Sequence, residues 1–111
     1  MSKRLVMYCR DSFCPDQART RQLLGQWGVP YEEVNTTRDR QAAERVRAWN
    51  GHLGMPTLVI AEEGSLEPVA PPTPLAAGQR TRDLNRGTLT SEPSESGLRA
   101  FLGQNGLLAD S

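Results

Sequence analysis

The chain has little of what marks several other classes of protein. Its 111 residues include two cysteines, too few for the disulfide framework of a small secreted domain. Thirteen Lys and Arg balance thirteen Asp and Glu, so no excess of positive charge indicates nucleic acid as a partner. No apolar run is long enough to cross a membrane, and the first residues lead into a strand-like segment without a signal-peptide apolar region. We therefore expect a cytoplasmic protein with neither a nucleic-acid nor a membrane partner.

The length and the alternation of apolar segments predict a single α/β domain over residues 1–111. The predicted elements are a strand at Lys3–Tyr8, a helix at Pro15–Trp27, a strand at Val29–Val34, a helix that begins after Thr36 or Thr37 and ends at Asn50–Gly51, and a strand at Thr57–Ile60. The buried face of the first helix is predicted to carry Ala18, Leu23, Leu24 and Trp27. This order of elements predicts a sheet with at least one parallel pair of strands.

Residues 67–93, which we name the excursion, differ from the rest in composition. They hold five of the eight prolines, which predicts a long loop. A fourth strand fits either at Leu66–Ala70 or at Gly87–Thr90. Three arginines lie in the excursion, and they either attract an anionic ligand or are ordinary surface charge, the reading we favour; they are Arg80, Arg82 and Arg86. A last helix is predicted at about residues 92–103, weakened by Gly97 by roughly 1 kcal/mol relative to alanine.

Cys14 is the residue most indicative of chemistry. Pro15 suits the first position of a helix, because its fixed φ fits and its missing N–H would have had no partner there. Cys14 is then the N-cap, where we expect its sulfur to face unpaired backbone N–H groups at the positive end of the helix dipole. Both features favour the thiolate, the nucleophilic form. The alternative is an inert, buried cysteine.

These residues carry a resemblance to a known family. Tyr8, the Cys14–Pro15 pair and the segment Gly51–Thr57 resemble the glutaredoxins, over about residues 3–62. The resemblance implies a thioredoxin-like βαβαβ(β)α fold with a small mixed sheet flanked by helices. It also implies a cis peptide bond before Pro56, which would turn the backbone of Met55 toward an extended peptide or glutathione beside the nucleophile. Otherwise Pro56 starts an edge strand in the trans form.

The departures from the family pattern define the expected mechanism. Gln17 stands where the second cysteine of the Cys-x-x-Cys motif is usual, so a monothiol cycle through Cys14 is expected, with glutathione as co-substrate and no bound cofactor. Protein disulfides or glutathione mixed disulfides would be the partners, and a monomer is expected. The predicted substrate or glutathione contacts are Arg10, Gln17, Met55, Pro56 and Thr57. The Gly-Gly-x-Asp segment that holds glutathione in the family has no clear counterpart after Ile60.

Asp16 stands in place of the family's usual tyrosine in the motif, and its negative charge opposes a thiolate. Arg10 and Arg19 are the candidates to offset that charge. Gln17 is expected to bond the sulfur or a glutathione carboxylate, or to be an ordinary polar residue of the first helical turn.

Cys9 leaves two interpretations open. It is either a resolving thiol for Cys14 or, as we favour, a buried strand residue. A metal site from Cys9, Cys14 and His52 matches no zinc pattern, so none is predicted. Two other functions remain as alternatives. One is a non-catalytic thioredoxin-fold module that binds a partner through the excursion. The other is an arsenate-reductase-like enzyme, which ranks third because the Met55–Thr57 segment does not suit it.

Overall fold

The first strand lies at the centre of the fold. A computed structural model describes residues 2–108. Its elements are β1 (Lys3–Cys9), α1 (Pro15–Gln26), β2 (Tyr31–Asn35), α2 (Arg40–Asn50), β3 (Thr57–Glu62), β4 (Leu89–Ser91) and α3 (Glu95–Gln104). The sheet has the strand order β2-β1-β3-β4. Strand β1 runs parallel to β2 and antiparallel to β3, and β4 pairs antiparallel with β3. This mixed sheet with three helices has a thioredoxin-like fold, and the predicted parallel pair is confirmed.

Alternating side chains of β1 divide the core into two layers. Leu5 and Met7 pack on one face, in a cluster with residues of α1 and α3. Val6 and Tyr8 pack on the other face, in a cluster with residues of α2. All four side chains are fully buried, as the period-2 geometry of a strand covered on both faces requires. The sheet therefore places the loop after β1 and the loop before β3 at the same edge.

Several element boundaries differ from the sequence prediction. The N-cap of α2 is Asp39, whose carboxylate accepts from the N–H of Ala42 at 3.2 Å, and not Thr36 or Thr37. Strand β2 begins two residues later than predicted, at Tyr31, and the short fourth strand is Leu89–Ser91, close to the second of the two candidates. Helix α3 begins at Glu95, because Ser94 caps it by accepting from the N–H of Gly97.

The buried face of α1 is more polar than predicted. Leu23 and Leu24 are buried, but Ala18 is exposed, and Gln17 and Thr20 take its place in the interior. The Thr20 hydroxyl donates to the carbonyl oxygen of Asp16 at 2.8 Å. The excursion packs mainly as an irregular loop between β3 and β4. No helix within residues 2–108 is long and apolar enough to cross a membrane.

Candidate active site

Cys14 lies at the start of α1, where a loop from the end of β1 enters the helix. Its backbone is extended (φ −142°, ψ 117°) and Pro15 occupies the first helical turn, so the predicted N-cap is confirmed. The thiol is buried and donates to the carbonyl oxygen of Met55 at 3.5 Å. Among residues 2–108 the sulfur accepts no hydrogen bond from the helix backbone, contrary to our expectation.

The segment before β3 faces Cys14. The Met55–Pro56 peptide bond is cis, as the resemblance implied. Both residues are buried, and the side chain of Thr57, the next residue, is fully buried as well. Its hydroxyl donates to the carbonyl oxygen of Gly54 at 2.6 Å and also bonds the hydroxyl of Ser91 at 2.7 Å. Thr57 therefore shapes this segment from inside the protein.

A second contact set closes the loop before Cys14. The Gln17 side-chain oxygen accepts from the backbone N–H of Arg10 at 2.9 Å, and its NH₂ donates to the Arg10 carbonyl oxygen at 3.1 Å. The Arg10 guanidinium donates to the carbonyl oxygen of Phe13 at 3.2 Å. The Gln17 amide thus pairs with the backbone of Arg10 through two hydrogen bonds, as a neighbouring strand would, and stabilises the β1–α1 loop. This explains why a polar side chain is buried in the first turn of α1.

Two cavities flank the loop. One of about 320 Å³ is lined by residues including Arg10, Phe13, Cys14 and Gln17. The other, of about 170 Å³, is lined by residues including Arg10 and Met55. Arg10 is common to both, whereas Pro56 and Thr57 line neither. The Phe13 side chain is 78% exposed at the rim, immediately before the thiol.

Asp16 is bound by two arginines, and one of them comes from the excursion. Arg82 donates to both carboxylate oxygens of Asp16, at 2.7 and 3.1 Å, and Arg19 donates to one of them at 2.9 Å. The hydrogen bond from Arg82 and the bond from Arg19 hold the pKa of Asp16 below its usual value against the opposing effect of burial. Arg19 has the predicted role, but the second partner is Arg82, because Arg10 is turned to Phe13.

Cys9 lies in a different environment. Its thiol contacts the carboxylate of Glu33 at 3.4 Å and the carbonyl oxygen of Val34 at 3.6 Å. Two guanidinium nitrogens of Arg21, Nε and Nη2, donate to the same Glu33 carboxylate. Burial, together with the negatively charged Glu33, raises the pKa of Cys9 to about 11. Both cysteines are free thiols. Within residues 2–108 no group of three or more His, Cys, Asp and Glu is placed to hold a metal ion.

A family model of the glutaredoxins matches residues 5–64, which is 60 of the 111 residues. The chain belongs to the glutaredoxin family. No curated protein matches it. The matched region of this glutaredoxin runs from β1 to just beyond β3, so it contains Cys14, Gln17 and Pro56 and ends before the excursion. It places the chain among proteins related to thiol–disulfide oxidoreductases.

Sequence reasoning missed two residues of this site. Thr36 donates its hydroxyl to the carbonyl oxygen of Cys9 at 2.8 Å and lies 3.8 Å from the sulfur of Met55, so it joins the end of β1 to the segment that faces Cys14. Arg82 was noted only as one of three surface charges. Nothing in the local pattern distinguishes it from Arg80, since both arginines are exposed and only two residues apart.

Proposed function

We propose that this glutaredoxin is a monothiol thiol–disulfide oxidoreductase that removes glutathione from mixed disulfides through Cys14. The observation that carries the proposal is the 3.5 Å contact between the Cys14 sulfur and the carbonyl oxygen of Met55, the residue before the cis proline. This contact puts the one thiol at a helix start beside a backbone segment that can pair with an extended substrate. Gln17 in place of a second motif cysteine supports a cycle with one thiol.

The cycle has two exchanges. In the first, the Cys14 thiolate attacks the glutathione sulfur of a mixed disulfide. The S–S bond of the substrate breaks, a new one forms between Cys14 and glutathione, and the substrate leaves as a thiolate that takes up a proton. In the second, the thiolate of a free glutathione attacks the bound glutathione sulfur. Oxidised glutathione leaves, and Cys14 is free again. The sum converts one mixed disulfide and one reduced glutathione into one free thiol and one oxidised glutathione.

The surroundings of the thiol support distinct roles for the predicted contacts. The backbone of Met55 and Pro56 would bind the substrate, and Arg10, which lines both cavities, would bind a carboxylate of glutathione through its guanidinium. Gln17 would act through the loop that it closes, since its amide is paired with the Arg10 backbone. Thr57 would act through the shape of the Met55–Pro56 segment.

The direct test is the release of glutathione from a glutathionylated peptide, followed with reduced glutathione present. We expect turnover by the natural chain, loss of turnover in Cys14→Ser, and turnover within about twofold of natural in Cys9→Ser. Loss of turnover in both single variants would contradict the monothiol mechanism. No turnover by the natural chain would contradict the enzymatic function and leave the non-catalytic binding module as the alternative.

A further inference from the structure

We propose that Arg82, which the excursion delivers to the first turn of α1, is a positioning residue that cancels the charge of Asp16 beside Cys14. This inference rests on the proposed function, because it concerns the reactivity of the same thiol. It also gives the excursion a role that the sequence did not reveal. Arg82 acts through Asp16 and is not required to touch the substrate.

Asp16 poses an electrostatic problem for the site. It lies two residues after Cys14 in the first turn of α1, and its side chain is only 13% exposed. A carboxylate this close disfavours the negative charge that forms on the sulfur in thiol–disulfide exchange. The Asp16 side chain is partly shielded from water, which reduces the screening of its charge. Some other group therefore has to compensate for Asp16 if Cys14 is to react.

Arg82 provides this compensation in the strongest available geometry. Its two terminal nitrogens donate to the two carboxylate oxygens of Asp16, so the pair is bidentate. Arg19 adds one further bond from within α1. Arg82 also donates to the carboxylate of Glu92 at 2.5 Å, so it binds two acidic side chains. Arg19 donates in addition to the carbonyl oxygen of Pro93. The charge balance of Asp16 thus depends on both arginines.

The excursion fixes the position of Arg82 from both sides. The hydroxyl of Thr81, which is buried, bonds the ring nitrogen of His52 at 2.8 Å. The N–H of Asp83 donates to the carbonyl oxygen of Ser91 at 2.8 Å, at the end of β4. These contacts anchor the backbone around Arg82 to the loop that precedes Pro56 and to the sheet edge. An exposed arginine on a free loop would lose more side-chain and backbone entropy to make the same ion pair.

The same ion pair connects the thiol side of the site to the Met55–Pro56 segment. Glu92, which Arg82 binds together with Asp16, donates its backbone N–H to the carbonyl oxygen of Pro56 at 2.8 Å. Arg82 thus links the helix that begins at Cys14 to the backbone that faces it. This link gives a structural reason for an arginine from a distant loop at this point. Its effect on the charge near Cys14 can be measured separately, through the reactivity of the thiol.

The test measures the alkylation rate of Cys14 by iodoacetamide at neutral pH, followed by mass spectrometry of the Cys14 peptide, alongside turnover of a glutathionylated peptide. The variants are Arg82→Gln, Arg82→Lys, Asp16→Asn and the double variant Arg82→Gln/Asp16→Asn. Arg80→Gln is the matched control, since it removes an arginine from the same loop without touching Asp16. Thermal unfolding of each variant shows that it is folded.

We expect Arg82→Gln to slow both reactions by roughly three- to tenfold, because Asp16 then keeps only its bond from Arg19 and the site gains one net negative charge. Arg82→Lys should retain part of the rate, Arg80→Gln should retain all of it, and the double variant should return to within about twofold of the natural chain. A slow double variant would show that Arg82 acts only on structure and would overturn the proposal, as would an unchanged rate in Arg82→Gln. If the natural chain turns over no substrate, the proposed function fails, but the alkylation rates still decide the role of Arg82.

Discussion

The Cys14 thiol donates a 3.5 Å hydrogen bond to the carbonyl oxygen of Met55, although 41 residues separate them in the chain. The first residue is set by the N-terminal end of α1, and the second by the cis bond that precedes β3. Because β1 and β3 are direct neighbours in the sheet, the loops at this end converge. The contact therefore follows from the strand order, and it determines which backbone a substrate would meet at the thiol.

The two cysteines should differ sharply in reactivity. At neutral pH, iodoacetamide should label Cys14 and leave Cys9 unmodified, since burial and Glu33 raise the pKa of Cys9 to about 11 and thiolate is the reactive form. Peptide mapping after brief labelling measures both sites. The iodoacetamide label should be absent in Cys14→Ser and retained in Cys9→Ser. Comparable labelling of both cysteines in the natural folded chain would contradict the environment described for Cys9.

Cys9 should also make stability fall at high pH. A thiol whose pKa is raised in the folded state stays protonated there while the unfolded chain ionises, so its contribution is complete below the unfolded pKa, near 9, and is lost as pH rises toward about 11. The loss should be roughly 2 kcal/mol. Urea unfolding between these pH values measures this loss, and Cys9→Ala should weaken the fall of the free energy of unfolding with pH. Tyr8 and Tyr31 titrate in the natural chain and in Cys9→Ala alike. An identical pH dependence of the free energy of unfolding in the two proteins would therefore refute the assignment of the loss to Cys9.

Gly97 should be needed in α3 even though alanine favours helices. A Cβ at this position would lie 2.2 Å from the Asp83 carboxylate, which accepts from the backbone N–H of Ser94 at the start of the helix. Gly97→Ala should therefore destabilise the protein by roughly 0.5–2 kcal/mol, whereas Gly103→Ala, with its nearest neighbour 4.0 Å away, should stabilise it by roughly 0.5–1 kcal/mol. Denaturant unfolding distinguishes them, and a stabilising Gly97→Ala would show that Asp83 moves freely.

Arg86 should hold the excursion to the C-terminal end of α2. Its guanidinium is buried and donates to the carbonyl oxygens of Thr73 and Trp49, at 2.8 Å each, and burial lowers its pKa. Arg86→Met should destabilise the chain by roughly 1–3 kcal/mol, since buried acceptors lose their donor. The matched change Arg80→Met, at an exposed position, should stay within about 0.5 kcal/mol. Equal effects would mean that the buried contacts add nothing to stability.

The parts of the fold that local signals determine could be predicted from the sequence. Pro15 after Cys14 marks a helix start, and Asn50–Gly51 marks a helix end, with Gly51 in the left-handed conformation (φ 83°). The cis bond at Pro56 followed from the paired motifs of the family and not from composition. The N-cap of α2 was missed because Thr36 resembles a capping residue, yet its hydroxyl is bonded to the Cys9 carbonyl.

The electrostatics of the site could not be predicted, because they depend on the path of the excursion. Asp16 and Arg82 are 66 residues apart, and no periodicity links them. The burial of Gln17 was hidden for a similar reason, since an amide looks like a surface residue until its two bonds to the Arg10 backbone are known. Tertiary pairing of polar groups overrides the hydrophobic pattern at both positions.

The most direct test of the monothiol mechanism is the intact mass of the protein after exposure to oxidised glutathione, for the natural chain, Cys14→Ser and Cys9→Ser. We expect a single glutathione adduct that reduced glutathione removes, absent in Cys14→Ser and retained in Cys9→Ser. Loss of two hydrogen atoms without an adduct, abolished by either substitution, would instead show a disulfide between Cys9 and Cys14 and contradict the mechanism. Absence of any change in the natural chain would contradict the oxidoreductase function itself.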